Sequence, residues 1–265
     1  MTSGFCPVPG TALYYEREGS GTPVVFLHGN SLDLSVWKFQ TGAFRPAYDV
    51  VAYDLRGFGR SQPAALPYTH ADDLRRLLDH LEIDRAFLVG WSMGGGGAIN
   101  FSLLHPDRVI AAVLVDSSLG GFTYSDAFRE SLPFYNQEIV TAHGIESAKE
   151  RVLRHPFIAA SMRNPEAALL LTRAIRGYSG WHWTNVDAGV PLNPSALERL
   201  AEIAVPVLAM VGEHDVDDFH AIAELIAERV PRARRLVVPG AGHAPFLDSP
   251  AAFNRLVMEF FETLL

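Results

Sequence analysis

At 265 residues, with 48% hydrophobic and 20% charged side chains, the chain has globular values and length for one α/β domain with an insertion, or for two small domains. Its 22 Lys and Arg against 30 Asp and Glu give a formal net charge of −8 with no basic stripe, so neither nucleic acid nor an anionic membrane surface is an expected partner. The single cysteine, Cys6, excludes an internal disulfide. No apolar run approaches the ~20 residues of a membrane helix, Met1-Thr2-Ser3-Gly4-Phe5 lacks the character of a signal peptide, and a cytoplasmic protein is expected.

Residues 13–17 read as a strand, Gly19-Ser20-Gly21 as a turn, and residues 24–27 and 50–53 as further strands. Over 72–81, Leu74, Leu77, Leu78 and Leu81 share one helical face, and Asp72 and Asp73 suit the positive N-terminal end of a helix. The apolar run 86–89 predicts a strand that leads into Gly90-Trp91-Ser92-Met93-Gly94 and then a helix. Residues 109–115 are another strand. Between about 117 and 205 no strand is evident, and helices are expected over 124–142, 146–154 and 165–176. Strand character returns at 205–211 and 235–238, with a helix over 219–229 between them. Such alternation predicts an α/β fold whose mostly parallel sheet is covered on both faces.

Gly90-Trp91-Ser92-Met93-Gly94 carries the sharpest chemical signal. A serine at the apex of a strand–turn–helix sits in a strained backbone, and flanking glycines remove the Cβ atoms that would collide there. A serine hydroxyl needs a base, a group that orients the base, and donors for the oxyanion. Asp215 lies just past the strand at 205–211, in Gly212-Glu213-His214-Asp215. His243 follows the strand at 235–238, in a loop rich in glycine and proline, Pro239-Gly240-Ala241-Gly242-His243-Ala244-Pro245. Ser92 is then the expected nucleophile, His243 the base and Asp215 the acid. The N–H groups of Asn30, after the strand at 24–27, and of Met93 are the candidate oxyanion donors, and the Asn30 amide a further donor. Trp91, beside Ser92, is expected against either the pocket floor or the sheet beneath.

Other patterns carry no such chemistry. Glu213, His214, Asp215, Asp217, Asp218 and His220 match no metal-ligand spacing, so no metal is expected, and Asp217 and Asp218 suit the start of the next helix. Gly94-Gly95-Gly96-Gly97 lacks the Lys-Ser/Thr of a phosphate loop, and Gly57-Phe58-Gly59 lacks the third glycine of a dinucleotide fingerprint. Arg56 and Arg60 beside it are read as structural rather than as contacts to a substrate anion.

His28-Gly29-Asn30, Asp54-Leu55-Arg56-Gly57-Phe58-Gly59-Arg60-Ser61, Gly90-Trp91-Ser92-Met93-Gly94-Gly95, Gly212-Glu213-His214-Asp215 and Gly240-Ala241-Gly242-His243 occur in an order and spacing that resemble the α/β-hydrolase superfamily over nearly the whole chain. The resemblance implies an α/β-hydrolase core at 1–116 and 204–265 and a helical cap at 117–203. It also implies the triad Ser92, Asp215 and His243, oxyanion residues Asn30 and Met93, a structural His28, and no cofactor. Asp116 stands where some members carry the acid and is the reserve candidate. Haloalkane dehalogenases share His-Gly-Asn but place an aspartate at the Ser92 position, which argues against dehalogenation. The cap is rich in aromatics, among them Phe122, Phe128, Phe134, Tyr135, Phe157, Tyr178, Trp181 and Trp183. They form its own core or line a pocket; Phe122, Trp181 and Trp183, with Trp91, are taken as pocket candidates. The expected activity is cofactor-independent hydrolysis of a small carboxylic ester through an acyl-Ser92 intermediate. A lactone, as in acyl-homoserine-lactone hydrolases, other acyl or carbon–carbon bond hydrolysis, perhydrolysis, and a ligand-binding receptor on the same fold are the alternatives.

Overall fold

The computed structural model describes residues 1–63, 66–133 and 137–265. Its strands are β1 (Thr2–Val8), β2 (Thr11–Gly19), β3 (Thr22–Leu27), β4 (Tyr48–Tyr53), β5 (Ala86–Trp91), β6 (Val109–Val115), β7 (Val207–Gly212) and β8 (Ala233–Val238). They form one sheet in the order β1-β2-β4-β3-β5-β6-β7-β8, with β1–β2 and β2–β4 antiparallel and the other neighbours parallel. The fold class is therefore as expected. β4, β5 and β7 are buried at every position, which is why they read as unbroken apolar runs rather than alternating ones.

β1 was not among the expected strands. Ser3, Gly4 and Pro7 make Thr2–Val8 a poor strand by composition, and proline is tolerated there because the strand is an edge. The Pro9-Gly10 turn that closes the hairpin is its one sequence signal, with Gly10 at φ +80.

The chain leaves β3 toward β4 on one side and returns to β5 on the other. At such a reversal the connections diverge and leave a crevice at the carboxyl ends of the strands. The loops that begin at His28 and at Ser92 both open there.

Helices α1 (Lys38–Phe44), α2 (His70–His80) and α3 (Met93–Leu104) accompany the first six strands. The hydroxyl of Thr69 caps α2 by accepting from the N–H of Asp72 at 3.0 Å. Between β6 and β7 the described residues form α4 (Asp126–Ser131), α5 (Gln137–Leu153), α6 (Pro165–Gly177), α7 (Trp181–Thr184) and α8 (Ala196–Arg199), with short 3₁₀ turns. The two helices expected before residue 154 meet at Gly144, whose φ of 79° and ψ of 164° break α5. Phe134 and Tyr135 lie outside the described residues. After β7 come α9 (Asp217–Arg229), α10 (Pro245–Asp248) and α11 (Pro250–Glu262). No described helix is long and apolar enough to cross a membrane.

The helical insertion is tied to the core by its C-terminal half. Tyr68 exchanges backbone hydrogen bonds with Ala188 and Val190, and its hydroxyl donates to the Asp187 carboxylate. Phe58 stacks on His182 with ring centres 4.2 Å apart. Arg56 holds this loop in place through a paired contact with Asp73, both side chains almost fully buried, and a bond to Pro9 O at 2.9 Å. Arg56 is thus engaged inside the protein, as expected, and Arg60 lies over the Tyr14 ring.

Candidate active site

Ser92 sits between the last residue of β5 and the first of α3, at φ 52° and ψ −115°. Few non-glycine residues adopt such a backbone, and it costs about 1–3 kcal/mol unless its surroundings enforce it. Here two backbone bonds do so: Ser92 N–H donates to Val115 O and Ser118 N–H donates to Ser92 O, each at 2.9 Å. The flanking glycines permit the close packing. A Cβ at Gly90 would overlap Gly94 O and lie 2.8 Å from Gly95 Cα, and one at Gly94 would overlap Leu27 O.

His243 is 4% exposed. Its Nδ1 lies 2.8 Å from Asp215 Oδ2, the pair that the sequence placed 28 residues apart on successive loops. The other Asp215 oxygen accepts from Val216 N–H at 2.8 Å. With Nδ1 engaged, Nε2 is the ring nitrogen left for Ser92. The His243 backbone is held twice, by its own N–H to Phe157 O at 3.1 Å and by the Trp91 indole N–H, which donates to His243 O at 2.6 Å. Of the two placements expected for it, Trp91 takes the one at the cavity, and its N–H also fixes the histidine loop, a role with no signal in the sequence.

Asn30 and Met93 both border the cavity beside Ser92. Met93 is the first residue of α3, so its N–H has no acceptor within the helix and adds to the positive end of the helix dipole. The Asn30 amide contacts Met93 Sδ at 3.8 Å, while its oxygen accepts from Ser31 Oγ. Beneath this loop His28 is fully buried. Its Nε2 accepts from Leu55 N–H and its Nδ1–H donates to Gly29 O, a pattern that requires the neutral ring, and burial pushes it down to about 4.

Ser92 and His243 face one cavity of about 240 Å³. Its floor is Leu32, Trp91 and Phe219, and its roof comes from the insertion: Tyr124, Phe128, Leu132, Val152, Phe157, Ile158, Leu171 and Ile175. Of the four aromatics taken as pocket candidates only Trp91 lines it. Phe122 packs edge-on against Tyr124, which occupies the lining position instead. Trp183 is buried against Tyr178 and borders a separate hollow beside α5, and Trp181 packs on His182. The lining residues Leu171 and Ile175 are four apart on α6 and share its buried face, a helical spacing visible in the sequence.

Asp116, the reserve acid, lies beside the pair. Asp116, Asp215 and His243 each bring one ligand-type atom within 4.8 Å of the others, the only such group found among the described residues. The 2.8 Å spacing of Nδ1 and Oδ2 is that of a hydrogen bond, so a proton lies between these atoms. The acids and histidines after β7 do not gather. Glu213 accepts from Gly240 N–H, His220 contacts Arg235, and Asp218 accepts from Ser125, while Asp217 and Asp218 form the first turn of α9.

Comparison with known proteins agrees with this architecture. A family model described as the alpha/beta hydrolase fold matches residues 22–250. A pimeloyl-[acyl-carrier protein] methyl ester esterase of Edwardsiella ictaluri is 30% identical over 94% of this chain and 97% of its own length. Among solved structures, Est816, described as an N-acyl homoserine lactone degrading enzyme, is 30% identical with a TM-score of 0.78, covering 97% of this chain and 100% of that one. A thermophilic esterase from Thermogutta terrifontis is 27% identical with a TM-score of 0.84, covering 100% and 99%. The chain belongs to the α/β-hydrolase fold family and is a hydrolase.

Proposed function

We propose that the chain is a cofactor-independent serine esterase for small, uncharged carboxylic esters, acting through an acyl-Ser92 intermediate. The observation that carries this reading is that one apolar cavity holds both a strained serine and an imidazole whose far nitrogen is held by a buried carboxylate. Ser92 Oγ attacks the ester carbonyl while His243 Nε2 takes its proton, and Asp215 stabilises the imidazolium. The oxyanion meets the N–H groups of Asn30 and Met93 at the positive end of α3, an arrangement in which each donor is worth on the order of 10²–10³ in turnover. Collapse expels the alkoxide, which leaves as alcohol with the proton from His243. Water, deprotonated by the same ring, then cleaves the acyl-enzyme to acid and free serine.

The cavity limits the substrate. Among the described residues no Lys, Arg, Asp or Glu lines it, so the group it takes is uncharged. At about 240 Å³ it is smaller than the ~300–1,000 Å³ of most ligand pockets, which fits a short acyl chain or one aromatic ring. The similarity to Est816 favours a second substrate class, a lactone, which is an ester opened by the same steps. Initial rates on p-nitrophenyl acetate, butyrate and octanoate and on an acyl-homoserine lactone, with Ser92→Ala alongside, test both. Short-chain ester turnover that vanishes in Ser92→Ala is expected. Equal turnover by the variant overturns the enzyme assignment, and turnover of the lactone alone transfers it to lactonase.

A further inference from the structure

Asp116 follows the last residue of β6 and is fully buried, at a φ of 41° that non-glycine residues seldom adopt. Part of its environment is structural: its N–H donates to Met210 O and its Oδ1 accepts from Gly212 N–H, both at 2.9 Å, joining it to β7. The other oxygen, Oδ2, is buried and takes no hydrogen-bond donor from the described residues. Its ionisable neighbours are Asp215 and His243, with Asp248 more distant, while His155 faces the same pair from the insertion. None of these is a lysine or arginine. Burial first, and then the charge of Asp215, raise the Asp116 carboxyl well above the usual carboxylate range.

The geometry poses a problem of donors. Both Asp215 oxygens accept, one from Val216 N–H and one from His243. A carboxylate at Asp116 would add a further acceptor to a buried group already short of donors, whereas a carboxylic acid supplies one. We infer that Asp116 is a positioning residue for the hydrolytic site: a neutral acid whose Oδ2–H faces Asp215, holding the plane of that carboxylate and drawing off part of its charge. This rests on the reading of Ser92, Asp215 and His243 given above. No bond forms or breaks at Asp116, and its proton stays in place through turnover.

A donor that draws charge from Asp215 weakens its hold on the imidazolium. Deleting the donor moves the acid limb of the activity profile to higher pH; replacing it with another neutral donor does not. The test is the pH profile of kcat/KM on p-nitrophenyl butyrate for the wild type, Asp116→Asn and Asp116→Ala, with thermal unfolding of each. Asp116→Ala is expected to lose about 10–100-fold and to move the acid limb up by about one pH unit. Asp116→Asn, whose amide can donate to Asp215 while its oxygen accepts from Gly212, is expected to recover the limb position and most of the rate. A downward shift of about one unit in Asp116→Asn would mean that a negative charge had been removed, and overturns the proposal. So does a loss in Asp116→Asn as large as that in Asp215→Asn, since Asp116 would then be the acid itself. An alanine loss without movement of the limb leaves only a structural role and also overturns it.

A second measurement does not depend on activity. The infrared spectrum at about pH 8, where ordinary carboxyls are ionised, is expected to show a protonated carboxylic acid band in the wild type that is missing in Asp116→Asn. Its absence from the wild type refutes the neutral acid even if the alanine variant does not fold. Failure of ester turnover in the wild type, with that band present, instead counts against the esterase reading and leaves the neutral acid standing.

Discussion

The sheet and the helical insertion were built by different rules. Every residue assigned a chemical step lies within a few positions of the carboxyl end of a strand: Asn30 after β3, Ser92 and Met93 after β5, Asp215 after β7 and His243 after β8. The walls that decide what reaches them come mainly from the described residues of 124–175, none of which lies in a strand. Local sequence therefore dictates where the reacting groups stand, and long-range packing dictates what they can act upon.

The strongest way to break this division is to strike the sheet side. Asp215→Asn and His243→Ala should each lower kcat/KM by roughly 10³–10⁴ on every ester of a chain-length series, with no change in preference. A variant that altered preference while keeping its rate on one ester would place substrate selection on the strand ends.

On the insertion side the expected effect is smaller and selective. Leu171→Trp adds bulk to α6 where it roofs the cavity, and should lower kcat/KM about 10–100-fold on p-nitrophenyl butyrate and far less on acetate. Equal losses on the two esters would show that the insertion shapes the reacting groups rather than the pocket.

Trp91 crosses the division, since its ring floors the cavity and its N–H holds His243 O. Trp91→Phe keeps most of the floor and removes the hydrogen bond, worth about 1 kcal/mol, so a loss of kcat of roughly fivefold is expected with little change in chain-length preference. A change in preference without a change in kcat would make it a pocket wall alone.

The last effect concerns stability rather than rate. His28 is pushed down to about 4 when folded, so the unfolded chain takes up a proton that the native site refuses. Its contribution is complete above the ordinary imidazole value and is lost as pH falls through it toward about 4. In His28→Gln, the difference in urea-unfolding free energy between about pH 7.5 and pH 5 should shrink by about 2 kcal/mol relative to wild type. An unchanged difference would show that the loop beneath the oxyanion donors does not depend on a neutral ring.

How much of this was legible follows from the same division. β3, β5, β6 and β7 lie buried on both faces, and such strands announce themselves as apolar runs with glycine-rich ends, so the order of Ser92, Asp215 and His243 could be read along the chain. β1 escaped because an edge strand tolerates the glycine and proline that disguise it. In the insertion, aromatic content was a partial guide: Phe128 and Phe157 line the cavity, Phe122, Trp181 and Trp183 pack against neighbouring rings instead, and Leu171 and Ile175, less conspicuous, face the cavity. The bond from Trp91 to His243 spans 152 residues and has no local signature at all. Asp116 was visible at its strand end, but the buried oxygen that lacks a donor is a property only of the folded chain.

Covalent capture tests the central claim most directly. Treated with a serine-directed fluorophosphonate and mapped by peptide mass spectrometry, the protein should carry one adduct, on Ser92, with ester hydrolysis falling in proportion to labelling and no adduct in Ser92→Ala. Hydrolysis that persists in the fully labelled protein, or an adduct on another residue that accounts for the loss, would contradict the assignment of Ser92 as nucleophile.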